Sequence, residues 1–463
     1  MDKYLPLMPE IVFTTLFLIY FVFGLFIKNR QTLGIMVIVI SLITSLTLFG
    51  VNGSAFNDMF VADKFSQSLK LVFLLSLFLC TLISLRYEKI QDRVFYEYSL
   101  LLLLSTLAMM LIVSSRDFIP LFLSVEFMSL CIYLLSGFIL SDLKSNEASL
   151  KYYILGSFAS AILLFGISAI YGVTGTTTFD GIAQFFKNSS NISIYHYVGA
   201  IGIITALAFK AGCAPFHQWS PDVYEGAPTT ITAFMSVAPK AAALGALGRV
   251  IFETFSLKPQ LWLSPLILIA LLTMATGNIL ALRQNNLKRL LAYSSIAHAG
   301  YVMLAVIACS QEGLDSIVFY MFIYTFMNIG AFAVVLILPE GEKIDRYVGL
   351  SNTNIFVALS MLVFMFSLAG IPPLGGFIAK FLVFKSIIHA GYVWVALVGI
   401  IFSILSAYYY LRVVVKMFFA SSLEQSQPLH RVPANLKFAI GINTFLVITL
   451  GIFPDILRFL FIY

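Results

Sequence analysis

Charge is scarce in this chain. Only 11% of its 463 residues are Asp, Glu, Lys or Arg, against about a quarter in soluble domains. Hydrophobic residues make up 60%, and the mean hydropathy is +0.96. No soluble fold of this length hides so much apolar surface. Cysteine is scarce too. Cys80, Cys131, Cys213 and Cys309 stand alone in or beside apolar runs, and no CxxC occurs. A disulfide framework, a zinc site and iron–sulfur ligation are therefore poor readings. There is no Walker loop and no GxGxxG, so no nucleotide or flavin site follows from a recognisable rule. The N-terminal MDKYLPLMPEIVF lacks a basic n-region and a small-residue cleavage site. Its apolar run reads as a retained helix.

What remains is a succession of long apolar runs. They predict an all-α polytopic membrane protein, and they do not alternate as the strands of a membrane barrel would. Fourteen spans are expected, near 8–27, 33–51, 66–85, 95–114, 117–140, 150–173, 195–217, 228–253, 261–282, 288–310, 313–338, 353–389, 393–420 and 435–460. The twelfth is too long for one straight crossing. It contains Gly370-Ile371-Pro372-Pro373-Leu374-Gly375-Gly376. Two prolines remove backbone donors there, so a broken helix is expected. Span seven carries a milder version, Ala211-Gly212-Cys213-Ala214-Pro215.

Loop charge sets the orientation. Fifteen Lys and Arg fall on the side reached after odd-numbered spans, and seven on the other, where Lys70 and Arg458 are counted. The odd side, holding Lys288 and Arg431 among others, is expected to be cytoplasmic, with both termini periplasmic. The net charge of +6 fits basic loops against an anionic leaflet rather than nucleic-acid binding.

A faint repeat links the two breaks. Ala211-Gly212-x-x-Pro215 matches Ala369-Gly370-x-x-Pro373, five spans later. An odd offset inverts the second copy in the membrane, and transporter sites lie at such broken helices. The expected division is a three-helix segment (1–94), a first repeat (95–253), a second repeat (254–420) and a C-terminal helix (421–463).

Few ionisable residues lie inside the spans: Glu126, Lys210, Lys240, Arg249, His298, Lys380 and Lys385. An ammonium at bilayer depth costs about 2.5–3.5 kcal/mol on insertion scales. Arg249 and Lys385 lie near span ends and read as snorkelling to the interface. Snorkelling is also the bland reading of Lys210 and Lys380, and less so of the central Lys240. Glu126 could be a structural partner for one lysine, and His298 a packing histidine. His217 reads as a structural residue at the water boundary. Together, one carboxylate, three lysines and an imidazole suit proton movement. Sodium would prefer clustered carboxylates and carbonyls.

Three stretches carry a resemblance: KAGCAPFHQWSPDVYEGAPTTITAFMSVAPKAAALG, KRLLAYSSIAHAGY and SLAGIPPLGGFIAKF. They closely resemble the antiporter-like membrane subunits of respiratory complex I, NADH:quinone oxidoreductase, over essentially all fourteen spans. LMPEI, the chain length, the phrase around Lys240 and a lysine at 380 resemble the N-type branch. The resemblance implies a proton relay: Glu126 paired with Lys210, Lys240 at the centre, His298 beyond it and Lys380 towards the exit. It implies that NADH, FMN, iron–sulfur clusters and quinone belong to partner subunits, with no cofactor or metal in this chain. The partners implied are neighbouring antiporter-like and small membrane subunits in a lipid bilayer. A bacterial inner membrane is the expected location, a mitochondrial one the alternative. Related subunits of multisubunit sodium/proton antiporters and membrane-bound hydrogenases share the fold and remain the second reading. A purely structural subunit is the third.

Overall fold

In hydrocarbon every backbone donor and acceptor must be paired within its own segment, so long apolar runs become helices. The computed structural model describes residues 2–189, 192–420 and 432–456. The segment 421–431 with Arg431, and the end of the last expected span with Arg458, lie outside the described residues. The chain opens with α1 (Met8–Gly24) and α2 (Arg30–Thr47). A small antiparallel hairpin follows, β1 (Gly53–Ala55) with β2 (Phe60–Ala62). Then come α3 (Lys64–Ser84), α4 (Phe95–Ser114), α5 (Phe118–Ser136), α6 (Leu143–Thr174) and the short α7 (Phe179–Asn188). The middle holds α8 (Ile194–Ala211), α9 (Trp219–Gly226) and α10 (Thr229–Arg249), prolonged by a wider turn at Val250–Phe255. The second half holds α11 (Leu263–Ala281), α12 (Leu287–Ile307), α13 (Gln311–Val335) and the single turn α14 (Leu350–Thr353). It closes with α15 (Ile355–Ala369), α16 (Gly375–His389), α17 (Val393–Phe418) and α18 (Ala434–Ile452).

Thirteen of the described helices are long and apolar enough to cross a membrane. The expected twelfth span supplies the remaining crossing as two half-helices, α15 and α16. Polar caps start many of the helices. Asn29, Asp63, Asp117, Asp142, Asn286, Ser310 and Asn354 each accept a backbone N–H of the first turn, satisfying donors that the helix leaves orphaned. The most apolar stretches of α10 and α13 are wholly enclosed, and α3 and α12 nearly so. The others form a ring around them that turns apolar side chains such as Phe158 and Ile404 outward. Lipid offers no hydrophobic drive for helix association, so small residues set the close approaches. At Gly166 of α6 a Cβ would lie 2.9 Å from the Ile203 backbone nitrogen of α8.

The two breaks are built alike. Gly212 and Gly370 end α8 and α15 in the left-handed conformation, with φ of 75° and 87°. Cys213 N–H bonds Ala208 C=O at 2.8 Å, and Ile371 N–H bonds Phe366 C=O at 3.0 Å. Both are Schellman-type closures. The helix neighbours repeat as well. The contacts α4–α5, α5–α6, α6–α8, α8–α10 and α4–α10 recur as α11–α12, α12–α13, α13–α15, α15–α17 and α11–α17. The fold is thus two inverted five-span units with a broken helix in each.

Several charges sit where the sequence reading did not put them. Lys70, counted as a loop residue, lies inside α3, fully buried, 2.7 Å from Glu10 of α1. Lys288, also counted in a loop, is buried and donates to the Glu225 and Ala227 carbonyls at 2.8 Å each. Arg249 does not snorkel. The outer end of α10 is enclosed by protein, so there is no lipid boundary within reach. The guanidinium instead binds Asp63 at 2.8 Å and Glu253 at 2.7 Å. Burial works against the Asp63 carboxylate, but Arg249 and the Ser66 N–H outweigh it and hold its pKa below the ordinary value. Glu253 continues to Arg116, and Arg116 to Asp180, tying the loops on that side. Lys385 behaves as expected: it is half-exposed and pairs with Glu312.

An alanine at 370 tests the break. The left-handed conformation costs a Cβ-bearing residue about 1–2 kcal/mol, and the new Cβ would sit 2.9 Å from Lys380 Cδ. Gly370→Ala is expected to lower the unfolding temperature of the purified protein. Gly172→Ala, at an exposed helical glycine with no close neighbour, should leave it unchanged or raise it slightly.

Candidate functional site

A carboxylate and a lysine meet first. Glu126 of α5 is partly exposed on the side of the bundle, and Lys210 of α8 is buried, with Oε1 and Nζ 3.9 Å apart. That is longer than the 2.7–2.9 Å typical of a locked charge-assisted bond. Ser160 of α6 spans the gap: its hydroxyl donates to Glu126 Oε1 and lies 3.5 Å from Lys210 Nζ. Lys210 also donates to Ser129 Oγ at 2.7 Å and Tyr133 Oη at 3.2 Å, both on α5. The pair is close enough to attract and loose enough to re-form around a hydroxyl. Lys210 lies in the last turn of α8, where the helix dipole favours a cation.

Lys240 of α10 is buried at the first break. Its ammonium donates to Ser295 Oγ of α12 and lies 5.4 Å from the Tyr224 ring centre of α9. A Cβ on Gly212 would fall 3.4 Å from Nζ. One turn earlier on α10, Ser236 accepts from Asn328 of α13 at 2.6 Å. Lys380 of α16 stands in the same relation to the second break. It donates to the Ala369 carbonyl at 2.8 Å, a carbonyl left free at the end of α15, and to Ser403 Oγ of α17 at 2.9 Å. A Cβ on Gly370 would fall 3.3 Å from Nζ. In both units a buried lysine therefore lies against the left-handed glycine that ends a half-helix. A cavity of about 670 Å3 adjoins Lys380 and Ser403, bounded by Phe377, Phe381, Ile400 and Ile404.

His298 of α12 lies between these lysines. Its Nδ1 is 2.6 Å from Tyr320 Oη of α13, and its Nε2 is 3.1 Å from Tyr410 Oη of α17. Tyr410 bonds Ser294, the neighbour of the Ser295 that takes Lys240. On the other flank the Tyr301 ring stands 5.9 Å from the imidazole and 5.1 Å from Lys380 Nζ. Tyr301 Oη accepts from Asn278 at 3.1 Å, and Asn278 in turn accepts from Tyr409 at 3.1 Å. The structure thus joins Glu126 to Lys210 directly, and links Lys240, His298 and Lys380 through hydroxyls and rings. Among the described residues no hydrogen bond or ion pair joins Lys210 to Lys240.

The connecting hydroxyls were not identified from the sequence. Some were within reach of it. Ser129 and Tyr133 stand three and seven residues after Glu126, on the same helix face. Ser294 and Tyr301 flank His298 in the same way. Ser160, Ser403 and Tyr410 come from distant helices, and nothing local marks them. On the side of the basic loops, α9 is pinned by charge. Arg289 donates to Asp222 at 2.8 Å and Glu225 at 2.9 Å, and Lys151 to Asp222 at 2.9 Å. These groups line a cavity of about 170 Å3, and the pinned helix holds Tyr224 beside Lys240.

Residues 115–406 match the family described as NADH:quinone oxidoreductase/Mrp antiporter, transmembrane. This chain belongs to that family. Its relatives place it in the subunit N branch. It is 44% identical to NADH-quinone oxidoreductase subunit N 1 of Thermodesulfovibrio yellowstonii, over 97% of this chain and 96% of the relative. It is 40% identical to subunit N of Trichlorobacter lovleyi, over 97% and 94%. The fold matches a chain of respiratory complex I from Thermus thermophilus with a TM-score of 0.84 and 30% identity, covering 97% of this chain and 98% of that one. A chain of the Mrp complex from Dietzia sp. superposes with a TM-score of 0.85 at 22% identity, covering 98% and 95%. That likeness is one of fold alone.

The hydroxyl bridges give a direct test. Tyr410→Phe removes one of the two phenols that hold His298. The loss of a net hydrogen bond of about 1 kcal/mol corresponds to roughly a fivefold change in rate. Proton transport by the complex is expected to slow on that scale while the membrane content of the protein stays normal.

Proposed function

We propose that this chain is the N-type membrane subunit of an NADH:quinone oxidoreductase and that it carries protons across the membrane. The observation that carries this reading is the row of buried Lys210, Lys240 and Lys380, with Glu126 at one end and His298 among them. Each is held by hydroxyls that can pass a proton. Three lysines against one carboxylate suit protons better than sodium, which favours clustered oxygen ligands.

Protons enter from the side of the basic loops, which is the cytoplasmic (or matrix) side, near α9. They reach Lys240 past Tyr224, pass His298 by way of Ser295, Ser294 and Tyr410, and leave by Lys380. Lys210 takes part through its pairing with Glu126. When the lysine sits close to the carboxylate its ammonium is favoured; when they separate, burial favours proton release. Quinone reduction elsewhere in the complex shifts that pairing and drives the cycle. NADH, FMN, iron–sulfur clusters and quinone reside in partner subunits. The partners in the bilayer are neighbouring antiporter-like and small membrane subunits. Both termini face the periplasm of a bacterial inner membrane. The chain divides at 94, 253 and 420 into a three-helix segment, the two repeats and a final helix.

Proton pumping driven by NADH in membrane vesicles tests the relay. Lys240→Ala should reduce pumping by roughly tenfold or more, since even ~1.4 kcal/mol lost along the path has that effect. Assembly should be intact. Full pumping in an assembled Lys240→Ala complex would remove Lys240 from the path. Unchanged NADH oxidation on deletion of the chain would favour a sodium/proton antiporter assembly instead.

A further inference from the structure

The fold contains a second carboxylate–lysine pair, buried on both sides, that the relay does not use. Glu10 of α1 and Lys70 of α3 approach to 2.7 Å, with side chains 6% and 0% exposed. The Phe60 ring of β2 covers the ammonium, 5.1 Å away. Among the described residues, Lys70 Nζ and the Glu10 oxygens have no side-chain partner besides each other, the carboxylate being met otherwise only by Glu10's own backbone N–H, and the Gln67 amide one turn away has no partner. The pair lies on the side opposite the basic loops. From Lys70 the polar residues Gln67, Ser66 and Asp63 run up one face of α3 to the partly exposed Asp63, which Arg249 binds. These are positions i, i−3, i−4 and i−7, a continuous helix face. Lys64, exposed at the start of α3, attracts the half-buried Asp315 carboxylate of α13.

Other buried cations in the bundle are used differently. Arg30 donates to the Ile90 and Tyr87 carbonyls at 2.9 Å each, and also to the Ser84 carbonyl and the Asp92 carboxylate. Arg249 binds two carboxylates, and Lys288 two carbonyls. A buried ion pair repays its desolvation only when further hydrogen bonds satisfy the remaining donors and acceptors. Among the described residues Glu10 and Lys70 receive no further side-chain partner, so protein groups alone make this pair a poor structural tie. Proton exchange relieves it. The ammonium gives one proton to the carboxylate, leaving a neutral amine beside a neutral acid, and the acid passes that proton on. A lysine can do this when buried, whereas an arginine keeps its proton.

We infer that Glu10 and Lys70 form a second proton-exchanging pair, which serves release on the side opposite the basic loops. The inference rests on the proton-carrying reading given above. The ammonium loads from the bundle, hands its proton to Glu10, and the acid releases it towards Asp63 and the outer surface.

The test is Lys70→Arg in the assembled complex, with the ratio of protons pumped to electrons transferred measured in vesicles, and Lys240→Ala run in parallel. Arginine preserves the charge and the ion pair but does not give up its proton. A fall in the ratio of roughly twofold or more is expected, because a guanidinium stays protonated throughout the accessible range. An unchanged ratio, with Lys240→Ala impaired, overturns the inference and leaves the relay standing. Full pumping in Lys240→Ala overturns the relay itself. If Lys70→Arg does not assemble, the neutral double variant Glu10→Gln with Lys70→Met decides. A reduced ratio in that complex supports proton exchange, and a full ratio shows a structural tie.

Discussion

The cost of holding an ammonium away from water organises this bundle. Few ionisable groups lie deep within it, and every buried lysine of the proposed relay has a specific accommodation. Lys210 has a carboxylate at 3.9 Å and two hydroxyls within 3.2 Å. Lys240 has a serine and an aromatic face, and Lys380 a freed carbonyl and a serine. Among the described residues none is locked into a short bond with a carboxylate. Each arrangement accommodates an ammonium without a short carboxylate bond, which suits the proton carriers proposed above.

The broken helices supply part of that tolerance. An unbroken helix buries all its mid-span carbonyls in its own ladder. A half-helix ending in a left-handed glycine exposes carbonyls and a negative dipole end at membrane depth. Both five-span units place such an end beside a buried lysine, Lys240 at Gly212 and Lys380 at Gly370. The enclosed helices α10, α12 and α13 then carry the hydroxyls and the imidazole that lie between them.

Much of this was legible in the sequence, for physical reasons. Pro372, Pro373 and the glycines around them announce a break because nothing else at membrane depth needs them. Glu126, Lys210, Lys240, His298 and Lys380 stand out because charge is so rare in the apolar runs. Other features were hidden. Lys70 falls within the expected span 66–85 but only four residues from its start, so it groups with the loop charges of that side, and nothing in the sequence shows that this end of α3 is enclosed. Glu10 is hidden in the same way at the start of α1. Arg249 resembles a snorkelling residue because α10 is apolar all round, and no periodicity reveals that its outer end meets protein rather than lipid. Ser160, Ser295 and Tyr410 are ordinary residues whose role depends on which distant helix they face. Helix α9, eight residues rich in polar groups, reads as a loop until its charged face meets Arg289 and Lys151.

The central claim is that the lysines carry protons rather than merely hold helices together. The measurement that tests it most directly is NADH-driven proton pumping by vesicles carrying Lys210→Ala, with NADH oxidation and assembly followed in the same vesicles. Pumping and coupled oxidation should fall together in an assembled complex. If both persist, the Glu126–Lys210 pair is structural, and proton transfer through it is contradicted.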